Sequence, residues 1–148
     1  MKIISHRGNL DGRIPKLENT PEQIDKAHLM GYDVEIDVWY IWDKWYLGHD
    51  APEHEITKKW LRKRRKWLWC HAKNLEAMPK MIKEKLNCFW HENDKMTMTS
   101  KQILWCYPDT YIKDGITVVK EKIFNSQEIK IKGICTDYPL FFDDLISQ

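Results

Sequence analysis

Four short stretches of this 148-residue chain place a histidine at the end of an apolar run: Ser5-His6-Arg7-Gly8, Gly48-His49-Asp50, His71-Ala72-Lys73 and His91-Glu92, with Asp94 close behind. Imidazole changes charge near neutral pH, so these positions can move protons or hold a metal. One histidine after a strand is ordinarily a solvated loop residue, and none of the four decides anything alone. Their shared placement is the signal, since only His28 and His54 fall elsewhere, and those two are expected at the surface. Glu35 and Asp37 add a second kind of chemistry. Two residues apart on a strand, they project to one side. Like charges so placed call for a cation, and oxygen donors suit a hard divalent ion such as Mg²⁺ or Ca²⁺. For the pair taken alone, a solvent-facing polar stripe on an antiparallel strand is an equal alternative.

Elements able to bring these groups together are legible in the apolar pattern. Lys2 to Ser5 reads as a strand, and Thr20 as the cap of a helix from Pro21 to about Met30, closed by Gly31. Asp33 to Trp39 alternates Val34, Ile36 and Val38 against Glu35 and Asp37, and Trp45 to Leu47 reads as a short return strand. A basic helix over 57–66, a strand at 67–70, a helix capped by Asn74 and running to about Lys85, and a strand at 87–90 follow. Residues 103–106, 116–119 and 133–135 read as further strands with little helical sequence between them, and 140–146 as a closing helix. Seven or eight strands, mostly parallel, make an α/β domain. The architecture expected is a compact TIM-type (β/α) barrel with trimmed or missing outer helices, with its reactive groups at the carboxyl ends of the strands.

Bulk properties set the limits. A 43% hydrophobic content supplies one continuous core, so residues 1–148 are expected to form a single domain. A net charge of +2 gives no whole-molecule field for a nucleic-acid or anionic-membrane partner. Cys70, Cys88, Cys106 and Cys135 sit singly in apolar runs, without Cys-x-x-Cys spacing, and are expected as buried free thiols. The start of the chain turns polar too soon for a secretory segment, and no stretch approaches the ~20 apolar residues of a membrane span, so a cytoplasmic protein is expected.

His6-Arg7-Gly8, Glu18-Asn19-Thr20-Pro21, Gly31-Tyr32-Asp33-Val34-Glu35-Ile36-Asp37-Val38 and Gly48-His49-Asp50, in that order, resemble the glycerophosphodiester phosphodiesterase family. A weaker echo lies at Gly133-Ile134-Cys135-Thr136-Asp137-Tyr138-Pro139, similar to the segment that closes that family's barrel. The resemblance implies a metal-dependent phosphodiester hydrolase. His6 and His49 are then the catalytic histidines and Glu35 and Asp37 metal ligands. The family's third acid corresponds to His71, where histidine replaces glutamate. An imidazole there lowers the negative charge of the site and brings Mn²⁺ or Zn²⁺ in beside Mg²⁺ and Ca²⁺. Arg7 and Lys73 are candidates to bind substrate phosphate, and Glu18 to orient Arg7 or a water. By the same analogy the attacking group is the substrate's own neighbouring hydroxyl, giving a cyclic phosphate that water later opens. The partner implied is a small phosphodiester. Its head group and the oligomeric state are left open.

Two rival functions belong beside this one. Lys58 to Lys66, reading Lys-Lys-Trp-Leu-Arg-Lys-Arg-Arg-Lys, fits an anionic-surface or nucleic-acid binding module, although no base-stacking signature accompanies it and a solvated helix face explains it as well. The histidine at 71 also fits a degenerate member that binds a phosphorylated ligand without turning it over. The eight tryptophans, among them Trp39, Trp67, Trp69 and Trp90, are expected mainly in the core, with Trp105 a candidate for the floor of the pocket. His91, Glu92 and Asp94 are expected to line it.

Overall fold

The computed structural model describes residues 1–123 and 130–147. Seven parallel strands form its frame: β1 (Lys2–His6), β2 (Asp33–Ile41), β5 (Leu68–Ala72), β6 (Asn87–Phe89), β8 (Leu104–Cys106), β9 (Ile116–Val119) and β10 (Gly133–Thr136). They run side by side in the order β6-β5-β2-β1-β10-β9-β8. Three antiparallel strands are added, β3 (Lys44–Leu47) and β4 (His54–Ile56) beside β2, and β7 (Met96–Met98) beside β8. The expected strands are present among the described residues, and β4 and β7 are additions. Both are three residues long, too short to show a period.

The curl does not close through strand pairing, so the compact TIM-type barrel expected from the sequence is met in part, as an open, barrel-like α/β sheet. β6 and β8 lie at the two ends of the parallel array and are not paired with each other. Ser100 bridges the seam instead. Its N–H donates to Cys88 O at 2.7 Å, its hydroxyl donates to Leu86 O at 2.9 Å, and the Cys88 N–H donates to Ser100 Oγ at 3.0 Å.

Among the described residues, the helices that connect strands all lie in the first half of the chain. α1 (Pro21–Leu29), α2 (Lys58–Arg64) and α3 (Ala77–Lys83) connect the strands of the first half, and α4 (Pro139–Ser147) follows β10. Thr20 and Thr57 cap α1 and α2 by accepting from Gln23 N and Trp60 N. Asn74 does not cap α3. Its amide instead accepts from Tyr40 N and donates to Tyr40 O at 3.0 and 2.8 Å, and Glu76 occupies the cap position without a side-chain bond. The β2–β3 turn is made by Trp42 and Asp43, both at positive φ, 47° and 60°.

Alternation along each strand sorts side chains between a helix-facing layer and the interior. Val34, Ile36, Val38, Leu68 and Cys70 pack outward on Ile24, Leu61 and Met81 of the helices. Each fully buried aliphatic there contributes roughly 1.5–3 kcal/mol of transfer free energy. Ile4, Trp69, Phe89, Trp105, Ile116 and Cys135 fill the middle of the interior, with Phe89 and Trp105 stacked at 4.5 Å across the open seam. All four cysteines are free and buried, as their spacing predicts. His28 is not simply a surface residue, because it stacks on Trp67 at 3.8 Å. No helix among the described residues is long and apolar enough to cross a membrane.

Candidate active site

Above the aromatic layer, at the carboxyl ends of the strands, the interior turns polar. Glu35 and Asp37 point inward from β2, 2% and 0% exposed. Asp37 is held on three sides. Asn19, a left-handed residue at φ 59°, donates to Asp37 Oδ2 at 2.9 Å and accepts from the Asp37 N–H at 3.0 Å. Arg7 Nε lies 3.0 Å from Oδ2, too poorly aligned to donate to it, and Lys73 Nζ lies 3.9 Å from Oδ1. Burial pushes the Asp37 carboxyl up, but His71, Arg7 and Asn19 outweigh it and hold the group well below the usual carboxylate range. Glu35 is moved the other way, upward, first by burial and then by the charge of Asp37.

His71, on β5 beside Asp37, completes the cluster. Its Nε2 is 2.8 Å from His91 O, and a carbonyl can only accept, so Nε2 carries a proton. In the neutral ring the lone pair of Nδ1 then faces Asp37 Oδ1 at 3.3 Å and Glu35 Oε1 at 3.9 Å. An acceptor facing two carboxylates requires a cation between them or a second proton on the ring. Glu35 Oε2 and Asp37 Oδ1 are buried without a hydrogen-bond partner. One ligand atom each from Glu35, Asp37 and His71 fall within 4.8 Å of one another, a span that an ion with bonds of ~2.0–2.6 Å can bridge. The three residues therefore fit a divalent metal.

His6 stands on the neighbouring strand. Its Nδ1 is 2.8 Å from Asp137 Oδ1, which leaves Nε2 toward Glu35 Oε2 at 3.8 Å. Burial draws the His6 imidazole down, but the Asp137 hydrogen bond and the Glu35 charge win, and its pKa lies above the ordinary value. His49 is more open, with its Nδ1 2.7 Å from Asp50 Oδ1. Gly48 before it sits at φ 148° with Ala51 O packed so close that a Cβ has no room. Both histidines line one cleft of about 330 Å³, along with Arg7, Glu35, His71 and Lys73. His91, Glu92 and Trp105 line it too, whereas Asp94, expected there, does not; its carbonyl lies 2.6 Å from His91 Nε2.

Behind the cleft Glu18 gathers cations. It accepts from Arg7, from Arg13 at 2.8 and 3.3 Å, and from Asn9 at 3.0 Å. Burial raises the Glu18 carboxyl, yet these donors bring it down to about 2.

Sequence reasoning passed over Asp137, Asn9 and Asn19, which orient the groups it named, and Tyr107 and Lys120, which form the far wall of the cleft. Asp137 was visible as an acid at a strand end inside the Gly133–Pro139 echo. Asn19 stood inside the Glu18–Pro21 motif without a role assigned to it, and Asn9 carried no signal beyond lying in a loop.

The fold has a solved counterpart. A crystal structure of a glycerophosphodiester phosphodiesterase from Agrobacterium tumefaciens superposes with a TM-score of 0.62, covering 99% of this chain and 99% of that one. The two chains share a fold. At 14% identity the likeness is one of architecture and says nothing about individual side chains. No family model matches the chain, and no curated protein matches it in sequence.

Proposed function

We propose that the chain is a metal-dependent phosphodiester hydrolase acting on a small glycerophosphodiester, with Glu35, Asp37 and His71 as metal ligands and His6 and His49 as the proton-transfer pair. The observation that carries this is the meeting of His71 Nδ1 with two buried carboxylates whose Oε2 and Oδ1 atoms accept no hydrogen bond. A divalent ion bound there supplies positive charge to the non-bridging oxygens of a phosphodiester. The imidazole in the donor set favours Mn²⁺ or Zn²⁺ over Ca²⁺.

The side chains around the ligands match the needs of in-line displacement. Lys73 and Arg7 present cations to the cleft, Arg7 being fixed by Glu18 so that its orientation is set before substrate arrives. His6 and His49 each have Nδ1 engaged by a carboxylate, Asp137 and Asp50, which leaves Nε2 of each ring for proton exchange. One takes a proton from the attacking hydroxyl while the other gives a proton to the departing oxygen. Trp105 and Phe89 give the cleft an apolar floor against the alcohol.

The test is hydrolysis of glycerophosphocholine, followed by coupled detection of glycerol 3-phosphate, across Mg²⁺, Ca²⁺, Mn²⁺ and Zn²⁺ after treatment with chelator. Turnover restored by a divalent ion is expected. Absence of turnover with all four ions, alongside tight metal and phosphate binding, would instead indicate a binder, in keeping with histidine at 71 where the resemblance calls for an acid.

A further inference from the structure

At the opposite end of the strands lies a second opening of about 570 Å³, with a lining unlike that of the first. Its rim carries Lys2, Arg65, Lys66, Lys85, Lys101 and Lys132, all six exposed, against one acid, Asp33. The whole chain carries only +2, so the cationic excess is concentrated here. These residues come from the starts of separate strands and the ends of separate helices, so their convergence is a product of the fold rather than of one basic run. Lys2 is paired with Asp33 at 2.6 Å, and among the described residues none of the other five forms an ion pair. Neighbouring unpaired cations repel one another, and a fold that gathers them incurs that cost without an internal return.

The opening also has a floor. Trp69, Asn87 and Ile103 close it from inside, and Trp69 Nε1 donates to Asp33 at 3.0 Å. Asn87 Oδ1 is buried without a partner. An unanswered acceptor at the bottom of a cationic bowl asks for a ligand with negative charge outside and a hydrogen-bond donor inside. Five of the six cations are lysines, compact charges on flexible stems that suit phosphate groups of varied geometry better than a planar carboxylate. We infer that this amino-end opening binds a small polyphosphorylated compound bearing a hydroxyl or amino donor, at a site separate from the cleft above.

The basic run at 58–66 does not compete with this site as one surface. Arg62 is paired with Glu84, Arg64 is paired with Asp25 and lies over the Trp60 ring, and only Arg65 and Lys66 reach the rim. A nucleic acid needs a continuous track of cations, and the run does not offer one.

Isothermal titration calorimetry of the full chain with ATP, in chelator so that no metal occupies the upper cleft, tests the site. Binding is expected to weaken ~10-fold or more in Lys101→Glu/Lys132→Glu and to persist in Lys16→Glu/Lys26→Glu, whose positions lie off the rim. It is also expected to persist in Glu35→Gln, which alters the upper cleft. Asn87→Ala should weaken ATP by about fivefold and leave inorganic tripolyphosphate, which has no hydroxyl or amino donor, unchanged. The inference is overturned by absence of ATP binding in the unmodified chain, by equal weakening in the Lys16/Lys26 pair, by loss in Glu35→Gln, or by an equal loss of both probes in Asn87→Ala. Displacement of ATP by duplex DNA at lower concentration would assign the opening to nucleic acid instead and overturn it as well.

Discussion

The two ends of the strand array handle charge in opposite ways. At the carboxyl end the buried acids other than Glu35 are each met by designated partners: Asp37 by Asn19, Arg7 and Lys73, Asp137 by His6 and Asn9, Glu18 by Arg7, Arg13 and Asn9. At the amino end six exposed cations stand around a single acid, which pairs with Lys2 and leaves the other five without an ion pair among the described residues. The first arrangement fixes side chains in place at the cost of desolvation, which preorganised chemistry requires. The second keeps its charges hydrated and mobile, which suits capture of an anion but not catalysis. Substitutions at the two ends should therefore differ in size and even in sign.

The largest effects belong to turnover. His6→Ala and His49→Ala are each expected to lower kcat/KM for a glycerophosphodiester by ~10³-fold or more while metal affinity, read by calorimetry, stays within a few-fold. Activity surviving in both variants would remove the histidine pair from the chemistry. Lysine reversals at the amino end are expected to leave kcat unchanged.

Next in size are stability effects within the acidic pair. Asp37→Asn leaves Arg7, Lys73 and His71 facing a neutral group, and a loss of ~3–5 kcal/mol is expected by urea unfolding in chelator. Glu35→Gln should do the reverse. A carboxyl whose folded pKa is raised is destabilising once ionised, so a neutral amide there is expected to be neutral or to add about 1–2 kcal/mol at pH 7, while metal binding is lost. Matching losses in both variants would show that the two carboxylates are not a strained pair awaiting a cation. The choice of ion sharpens the same point: His71→Glu should shift preference from Mn²⁺ or Zn²⁺ toward Mg²⁺ and Ca²⁺.

Glu18 gives a pH signature. Its folded pKa of about 2 lies below the unfolded value near 4.5, so its contribution is fully present above the unfolded value and fades as pH falls through the folded one. That contribution is on the order of 2–3 kcal/mol. Acid unfolding in Glu18→Gln should be flatter than in the unmodified chain between about pH 4.5 and 2.

How much of this was legible before the structure depended on the kind of signal. Strand β2 announced itself because Val34, Ile36 and Val38 alternate with Glu35 and Asp37, and the inward direction of the two acids follows from that period. Thr20-Pro21 fixed the start of α1 to the residue. Asn74 misled because a side chain that caps a helix and one that mimics a strand partner have the same donor and acceptor, and only the position of Tyr40 separates them. The open seam between β6 and β8 was invisible, since Ser100 closes it with one hydroxyl and one amide that no periodicity marks. The ring of cations at the amino end was invisible for a related reason. Its members are single lysines far apart in the chain, brought together only by strand order.

The smallest effect expected comes from that ring. Relief of repulsion between hydrated surface charges is worth only a few tenths of a kcal/mol per residue, so Lys101→Glu or Lys132→Glu alone should raise the melting temperature slightly at low salt. The gain should vanish near 1 M salt, where the screening length falls to ~3 Å. Thermal unfolding of each variant at both salt concentrations measures it. A loss of stability at low salt would mean that these lysines are answered by contacts elsewhere in the chain, and the contrast between a satisfied and an unsatisfied end would disappear.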